Sequence, residues 1–389
     1  MIKKTLIQII FLSFFLITPF CVKASHFLNV LIYANTNINS LNVKVQTGEY
    51  SVICNNTTIG SFEKNNSFNL AIVDNKIMLS KNGKEAGTYD SIFFTGKGFI
   101  NTLLIKPLKL AERIYDNDLK ISVVNGFLQI INHVELENYV AGAVDAECGG
   151  FAEQNYFELQ AILCRTYALY NINKHWKEGY NLCDQVHCQV YKGKCNNSDL
   201  LTATYLSKDK VIIDKDSNLI SAAFCSNCGG QTVNAEDAWS KPQTYLKTVV
   251  DTFCIYQKNA LWQVRMPVSK WLNYLSEKYQ YPINDSLKRT VALNFKQPYR
   301  KVYFDDENKI PLKNIRADLL FKSTWFSIYP LGDSLLLFQG RGYGHGVGLC
   351  QEGALKMCRL QYPYMDIIHF YFKDVDVINL DELEKKKKK

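Results

Sequence analysis

At His133 the chain changes its repeat, and that change sets the outline of any fold it can adopt. Between residues 27 and 132, short apolar runs of strand length (30–33, 50–53, 70–73, 92–94 and 121–124) alternate with turn chemistry. Asn82-Gly83 and Asn125-Gly126 are the strongest of these turns. A type I′ two-residue hairpin turn needs positive φ at both positions, which Asn and Gly tolerate. After His133 the apolar residues recur at helical spacing. Leu136, Tyr139, Val140, Ala143 and Val144 predict a helix over 134–147, closed by Gly149-Gly150. Phe157, Ala161, Leu163, Ala168 and Ile172 predict a second over about 155–174, with Glu158 and Gln160 on its polar side.

Further along, the sequence predicts a helix at 200–207, strands at 211–213 and 219–225, and a helix at 268–279. A strand at 334–339 and a closing helix within 357–372 complete the reading. The class expected is α+β: a β-rich N-terminal part (25–132), then a mixed α/β core (133–375) with a two-helix segment and a glycine-rich C-terminal loop. Within that core, 255–335 has the irregular pattern of an insertion. Residues 376–389 read as a charged tail.

The first 24 residues have the layout of an export signal: Lys3 and Lys4, an apolar stretch over 6–17, Pro19, then Val22-Lys23-Ala24 as a cleavage site. The stretch is short for a membrane span, which favours cleavage over retention as an anchor. Either way the expectation is export, to the periplasm or cell wall. Lys3, Lys4, Lys23 and the five lysines 385–389 equal the whole net charge of +8. The body is therefore near neutrality and lacks the basic footprint of a nucleic-acid binder. Cys21 lies in the leader, which leaves eleven of the twelve cysteines, an odd number. At least one thiol is then free or bound to something other than a cysteine.

Five constellations carry chemistry. Asp145-Ala146-Glu147 ends the first predicted helix. A carboxylate there faces the negative end of the helix dipole, which raises its pKa toward that of a general acid. The same pattern alone also fits a solvated glutamate. Arg165-Thr166-Tyr167 offers a guanidinium that can pair with Glu147 or fork a substrate carboxylate. A surface arginine is the plain alternative. Cys183 and Cys188, with His175 or His187, have the donors of a zinc site, against a local disulfide. Cys225-Ser226-Asn227-Cys228 has no second Cys-x-x-Cys and no thioredoxin-like surroundings, so it reads as a polar pocket rather than a redox pair. In the run from Gly340 to Gly348 alternate glycines let backbone approach a ligand, and His345 is expected to face it.

Together these blocks resemble the stage II sporulation protein D/LytB family. The similarity runs through Val134-Glu135-Leu136-Glu137-Asn138-Tyr139-Val140-Ala141-Gly142, Glu147, Gln160-Ala161, Arg165-Thr166-Tyr167-Ala168-Leu169 and His187-Cys188-Gln189-Val190-Tyr191-Lys192-Gly193. It resumes in Ser226-Asn227-Cys228-Gly229-Gly230-Gln231-Thr232, Glu236-Asp237-Ala238-Trp239 and the 340–348 glycine run. It is strong over about 133–240 and 339–355. Cys148-Gly149-Gly150, Cys228 and Cys350 depart from the family pattern.

The resemblance implies a peptidoglycan lytic transglycosylase acting on glycan strands stripped of stem peptides, with Glu147 as acid and base. It implies substrate contacts from Arg165, Tyr167, Gln189, Tyr191, Ser226, Gln231, Asp237 and His345. It also implies a structural zinc on His175, Cys183 and Cys188, and an amidase partner that strips the peptides. Three alternatives stand beside it: a non-catalytic glycan-binding enhancer of an amidase, a hydrolase using Asp237 as second carboxylate, and a structural wall protein.

Overall fold

The computed structural model describes residues 26–149, 152–239 and 241–387. The export signal, Cys21, Gly150 and the last two lysines lie outside the described residues. The front of the chain forms β1 (Phe27–Ile32), β2 (Ser40–Cys54), β3 (Thr57–Glu63), β4 (Ser67–Val73), β5 (Lys76–Lys81), β6 (Lys84–Tyr89), β7 (Ser91–Pro107), β8 (Arg113–Asp116), β9 (Asp118–Val124) and β10 (Phe127–Glu135). They pair antiparallel in the order β1-β10-β9-β7-β2-β4-β5-β6, with β3 on β2 and β8 on β7. The predicted turns are hairpin turns: Asn82 and Gly83 sit at φ 52° and 76°, Asn125 and Gly126 at 51° and 79°.

The two longest strands switch parity. In β2, Leu41, Val43 and Val45 are buried, then Tyr50, Val52 and Cys54. The β2–β7 register shifts between Val45 and Glu49, and a bulge of this kind moves later side chains to the other face. Gly48 makes room for it, since a Cβ there would lie 2.2 Å from Asn101 Oδ1.

The helices follow without a linker. Val134 and Glu135, expected in the first helix, instead end β10, and α1 runs Leu136–Cys148. Its predicted apolar residues are all buried. α2 (Gln154–Tyr170) buries Phe157, Ala161, Leu163 and Ala168 as its spacing predicts. Gln160, expected on the polar face, is instead fully buried and neither amide atom has a hydrogen-bond partner. A two-residue strand, β11 (Leu182–Cys183), joins the sheet parallel to β1. α3 (Ser198–Leu206) is capped by Asn197, whose Oδ1 accepts from the N–H groups of Asp199 and Leu200.

After β12 (Lys210–Asp214) the expected strand at 219–225 shrinks to β13 (Phe224–Cys225), followed by α4 (Ala235–Ala238). The irregular region then builds its own layer. It contains β14 (Leu261–Pro267), α5 (Val268–Tyr279), α6 (Ser286–Leu293), β15 (Tyr303–Asp305), β16 (Ile310–Pro311), α7 (Leu312–Asp318), β17 (Trp325–Leu331) and β18 (Leu335–Arg341). Trp262, Trp271, Phe304, Phe326 and Phe338 form an apolar cluster distinct from the main core.

The chain then returns to the main core through β19 (Leu349–Cys350), α8 (Gln351–Arg359) and α9 (Tyr364–Tyr371). The single closing helix expected within 357–372 is thus two helices, because Pro363 cannot continue the first. The expected charged tail is also partly structural. Val375–Asn379 forms β20, paired antiparallel with β12, and α10 (Leu380–Lys387) buries Leu380 and Leu383. The architecture is mixed α+β, a large N-terminal antiparallel sheet followed by helices and small sheets.

Candidate active site and metal loop

α1 carries Glu147 one residue before its end, half-buried. Its Oε1 accepts the backbone N–H of Val190 at 2.7 Å, and its other oxygen has no partner among the described residues. Burial pushes the carboxyl pKa up, outweighing the Val190 N–H and the Lys192 ammonium, which pull it down. The negative end of the α1 dipole acts in the same direction, but the larger cause is loss of water around the carboxylate. The approach of Val190 depends on Gly142, one turn earlier in α1. A Cβ at that position would lie 2.2 Å from the Gly193 carbonyl oxygen and 2.6 Å from the Tyr191 ring.

Three residues expected to touch substrate are buried instead. Arg165 is inaccessible: Nε and Nη2 reach Glu137 at 2.9 and 2.5 Å, and Nη1 donates to the Lys210 carbonyl. Its fork is spent on an internal carboxylate, so it neither pairs with Glu147 nor reaches a groove. Tyr191 is also fully buried, its hydroxyl donating to Asn132 Oδ1 at 3.0 Å. Gln189 is buried and accepts from the Tyr139 hydroxyl at 3.1 Å. Both side chains anchor the strip that presents the Val190 N–H. Tyr167 is half-buried; its phenol pKa is raised by burial first, then by the Cys188 and Cys183 thiols and by Glu147. It therefore lies near both the cysteine loop and the carboxyl.

A second group assembles elsewhere. Gln231, Asp237, Trp239, Arg300, Arg316 and His345 line a pocket rich in positive charge, to which Glu147 does not contribute. Arg300 and Arg316 come from the irregular region, where no local pattern singled them out. His345 is not a free acid or base. Its Nε2 faces the Phe224 carbonyl at 2.9 Å and its Nδ1 faces the Val347 N–H at 3.0 Å, which assigns a neutral ring protonated on Nε2. Burial, with Arg316 and Arg300 nearby, lowers its pKa to about 4. Its ring packs against Trp239, centroids 5.2 Å apart.

Ser226 Oγ accepts from Asn259 Nδ2, and the Ser226 carbonyl accepts the Glu352 N–H. That ties the Ser-Asn-Cys motif to the first turn of α8. Gln351, the residue before it, reaches 4.0 Å from Cys148 Sγ beside Glu147. The predicted residues thus fall into two neighbourhoods, with the start of α8 touching the margins of both.

The cysteine loop is pinned to the sheet. Asp184, buried, accepts from the Tyr33 and Ala34 N–H groups and from Arg113. Donor atoms of His175, Cys183, His187 and Cys188 all lie within 4.8 Å of one another. His175 Nε2 is 3.5 Å from Cys188 Sγ, and His187 Nδ1 is 3.9 Å from both sulfurs. A tetrahedral zinc with ordinary bond lengths sets nitrogen–sulfur edges of about 3.6 Å. The donor set fits that ion. The Glu178 carboxylate holds His175 Nδ1 at 2.8 Å, the outer contact that aims a ligating Nε2. Sequence reasoning offered His175 or His187; the geometry brings in both.

The family of stage II sporulation proteins named SpoIID matches residues 124–215. The chain carries a SpoIID domain. This SpoIID domain spans β10 to β12 and holds Glu147 and the cysteine loop, while the arginine-lined pocket lies beyond the matched residues. The homology is distant. An uncharacterised protein of Brachyspira hyodysenteriae is 28% identical over 327 residues, covering 81% of this chain and 83% of that protein. Stage II sporulation protein D of Bacillus subtilis is 26% identical over 294 residues, 70% of this chain and 83% of the relative. The amidase enhancer of Bacillus subtilis is 25% identical over 264 residues, 55% of this chain and 36% of the relative.

Proposed function

We propose that the chain is an exported peptidoglycan lytic transglycosylase acting on denuded glycan strands, with Glu147 as its only acid/base. The observation that carries this reading is the half-buried Glu147 carboxyl: one oxygen held by a backbone N–H, pKa raised, the other oxygen without a protein partner among the described residues. The protonated carboxyl donates to the oxygen linking N-acetylmuramic acid to N-acetylglucosamine. The bond from that oxygen to the muramic C1 breaks, and the N-acetylglucosamine leaves as an alcohol. Glu147, now a carboxylate, takes the proton of the muramic C6 hydroxyl as O6 bonds to C1. The ring closes as a 1,6-anhydro sugar and the acid is restored. No water is consumed, so the second carboxylate of a hydrolase has no role. Asp237 lines the other pocket, which fits this one-carboxyl scheme.

Arg300 and Arg316 replace Arg165 in the reading. Their pocket suits an anionic group, such as the lactyl carboxylate of a muramic sugar along the strand. Gln231, Asp237 and Trp239 supply neighbouring polar and stacking contacts. Zinc on His175, Cys183, His187 and Cys188 would be closed by protein donors and would hold the loop beside Tyr167 rather than attack substrate.

The relative named as an amidase enhancer favours a second reading, in which the same surface binds glycan without cutting it and assists an amidase. Incubating the protein and Glu147→Gln with denuded strands separates the two. Products lighter by one water from wild type alone support the transglycosylase. Equal glycan binding by both proteins with no products supports the enhancer.

A further inference from the structure

A second cluster of soft donors lies apart from the cysteine loop and from Glu147. Cys228, Asp251, Cys254 and Cys350 are all buried, and their ligand atoms lie within 4.8 Å of one another. They come from the Ser-Asn-Cys motif, the loop before β14 and the N-cap of α8. Cys228 Sγ is 3.5 Å from Cys254 Sγ and 3.2 Å from Asp251 Oδ2. Cys350 Sγ accepts the Cys228 N–H at 3.2 Å, a bond that suits a thiolate. A tetrahedral zinc would set sulfur–sulfur edges of about 3.8 Å and sulfur–oxygen edges of about 3.6 Å, a few tenths beyond those distances.

Charge is the stronger argument. Asp251 is fully inaccessible and makes no ion pair among the described residues; it accepts from Tyr371 Oη, the Phe253 N–H and Cys228 Sγ, all uncharged donors. A buried carboxylate without a cation is costly. On the other side of the thiols, Arg300 donates to the Cys228 carbonyl and has no carboxylate partner among the described residues, its Nε unbonded. A lone cation at the centre gives Asp251 its counter-charge. The thiolates it stabilises give Arg300 an anionic neighbour.

We propose that Cys228, Cys254, Cys350 and Asp251 form a second, structural site for a thiophilic tetrahedral divalent ion of the zinc class. Binding the ion releases the thiol and carboxyl protons of these ligands to solvent, and four protein donors leave no open position for a reacting group. It staples the Ser-Asn-Cys loop to the start of α8, and so fixes the floor between the arginine pocket and the glycine run. This inference is independent of the transglycosylase reading.

The test is the zinc content of the purified protein by elemental analysis and native mass spectrometry. A triple variant, His175→Ala with Cys183→Ser and Cys188→Ser, removes the loop site. One equivalent of zinc retained by that variant is the expected result. Cobalt replacing it should give the intense thiolate-to-metal absorption of a three-sulfur site. Asp251→Asn in the same background keeps all three thiols and should lose the ion to a chelator faster. Should the triple variant not fold, the wild-type count decides: two equivalents are expected. A wild-type count of one, lost with the loop ligands, overturns the proposal. So does a Cys228–Cys254 disulfide found by alkylation and mass mapping, which would leave Cys350 as a free thiol.

Discussion

Arg165 offers the sharpest separation between packing and substrate recognition. Arg165→Met removes two charge-assisted hydrogen bonds to Glu137, at 2.9 and 2.5 Å, and strips the Thr204 and Lys210 carbonyls of a donor. Such bonds contribute about 1.5–3 kcal/mol each. Glu137, only 3% exposed, would be left with the weak Asp209 N–H contact at 3.4 Å. Breaking a buried pair this way costs about 3–5 kcal/mol, because the surviving charge has neither water nor partner. Replacing both groups, as Arg165→Met with Glu137→Leu, should recover most of that and fall within about 2 kcal/mol of wild type. Urea unfolding of the four proteins measures the cycle, and glycan pull-down on the folded fractions measures binding. Wild-type stability in Arg165→Met together with lost glycan binding would refute the assignment and return the guanidinium to the groove.

Three further outcomes follow from the same geometry. Lys192→Met removes a charge that lowers the Glu147 pKa, so the alkaline limb of the cleavage rate should move to higher pH; an unmoved limb would separate Glu147 from that ionisation. His345 has a folded pKa of about 4, below its ordinary value. The unfolded chain therefore binds a proton first as pH falls, and stability from this group, complete above about pH 6.5, is lost between there and pH 4. Acid unfolding of His345→Gln should show a shallower loss over that window. Gly142→Ala forces a methyl against the Gly193 carbonyl and should cost about 3 kcal/mol or more, with weakened cleavage as the Val190 N–H shifts, checked by thermal unfolding and product yield.

The parts of the fold that local rules decide were legible in the sequence. Asn82-Gly83 and Asn125-Gly126 act through their own backbone preferences, and the apolar spacing of α1 and α2 acts through one helix face each. The burial of Gln160 and Arg165 is hidden from the sequence for a common reason. A polar residue within a helix looks the same in sequence whether it faces solvent or a buried partner, and only the packing of α1, α2 and α3 makes that choice. Tyr191 and Gln189 sit in a motif because their side chains hold a backbone N–H, which sequence cannot distinguish from contact with a ligand. Arg300 and Arg316 were invisible because they reach the pocket from a separate layer with its own core. The place of His187 in the candidate metal cluster was half visible: spacing admitted it, and only the fold of the loop brings it to the same point as His175.

The most direct test of the proposed chemistry follows the oxygen. Denuded strands are digested in water enriched in heavy oxygen, and the new chain ends are weighed. A single-carboxyl transglycosylase closes the ring with the sugar's own O6, so the ends should be anhydro sugars carrying no label, and Glu147→Gln should yield none. Labelled reducing ends would contradict the account, since they require an activated water and a second carboxylate that Glu147 alone does not provide.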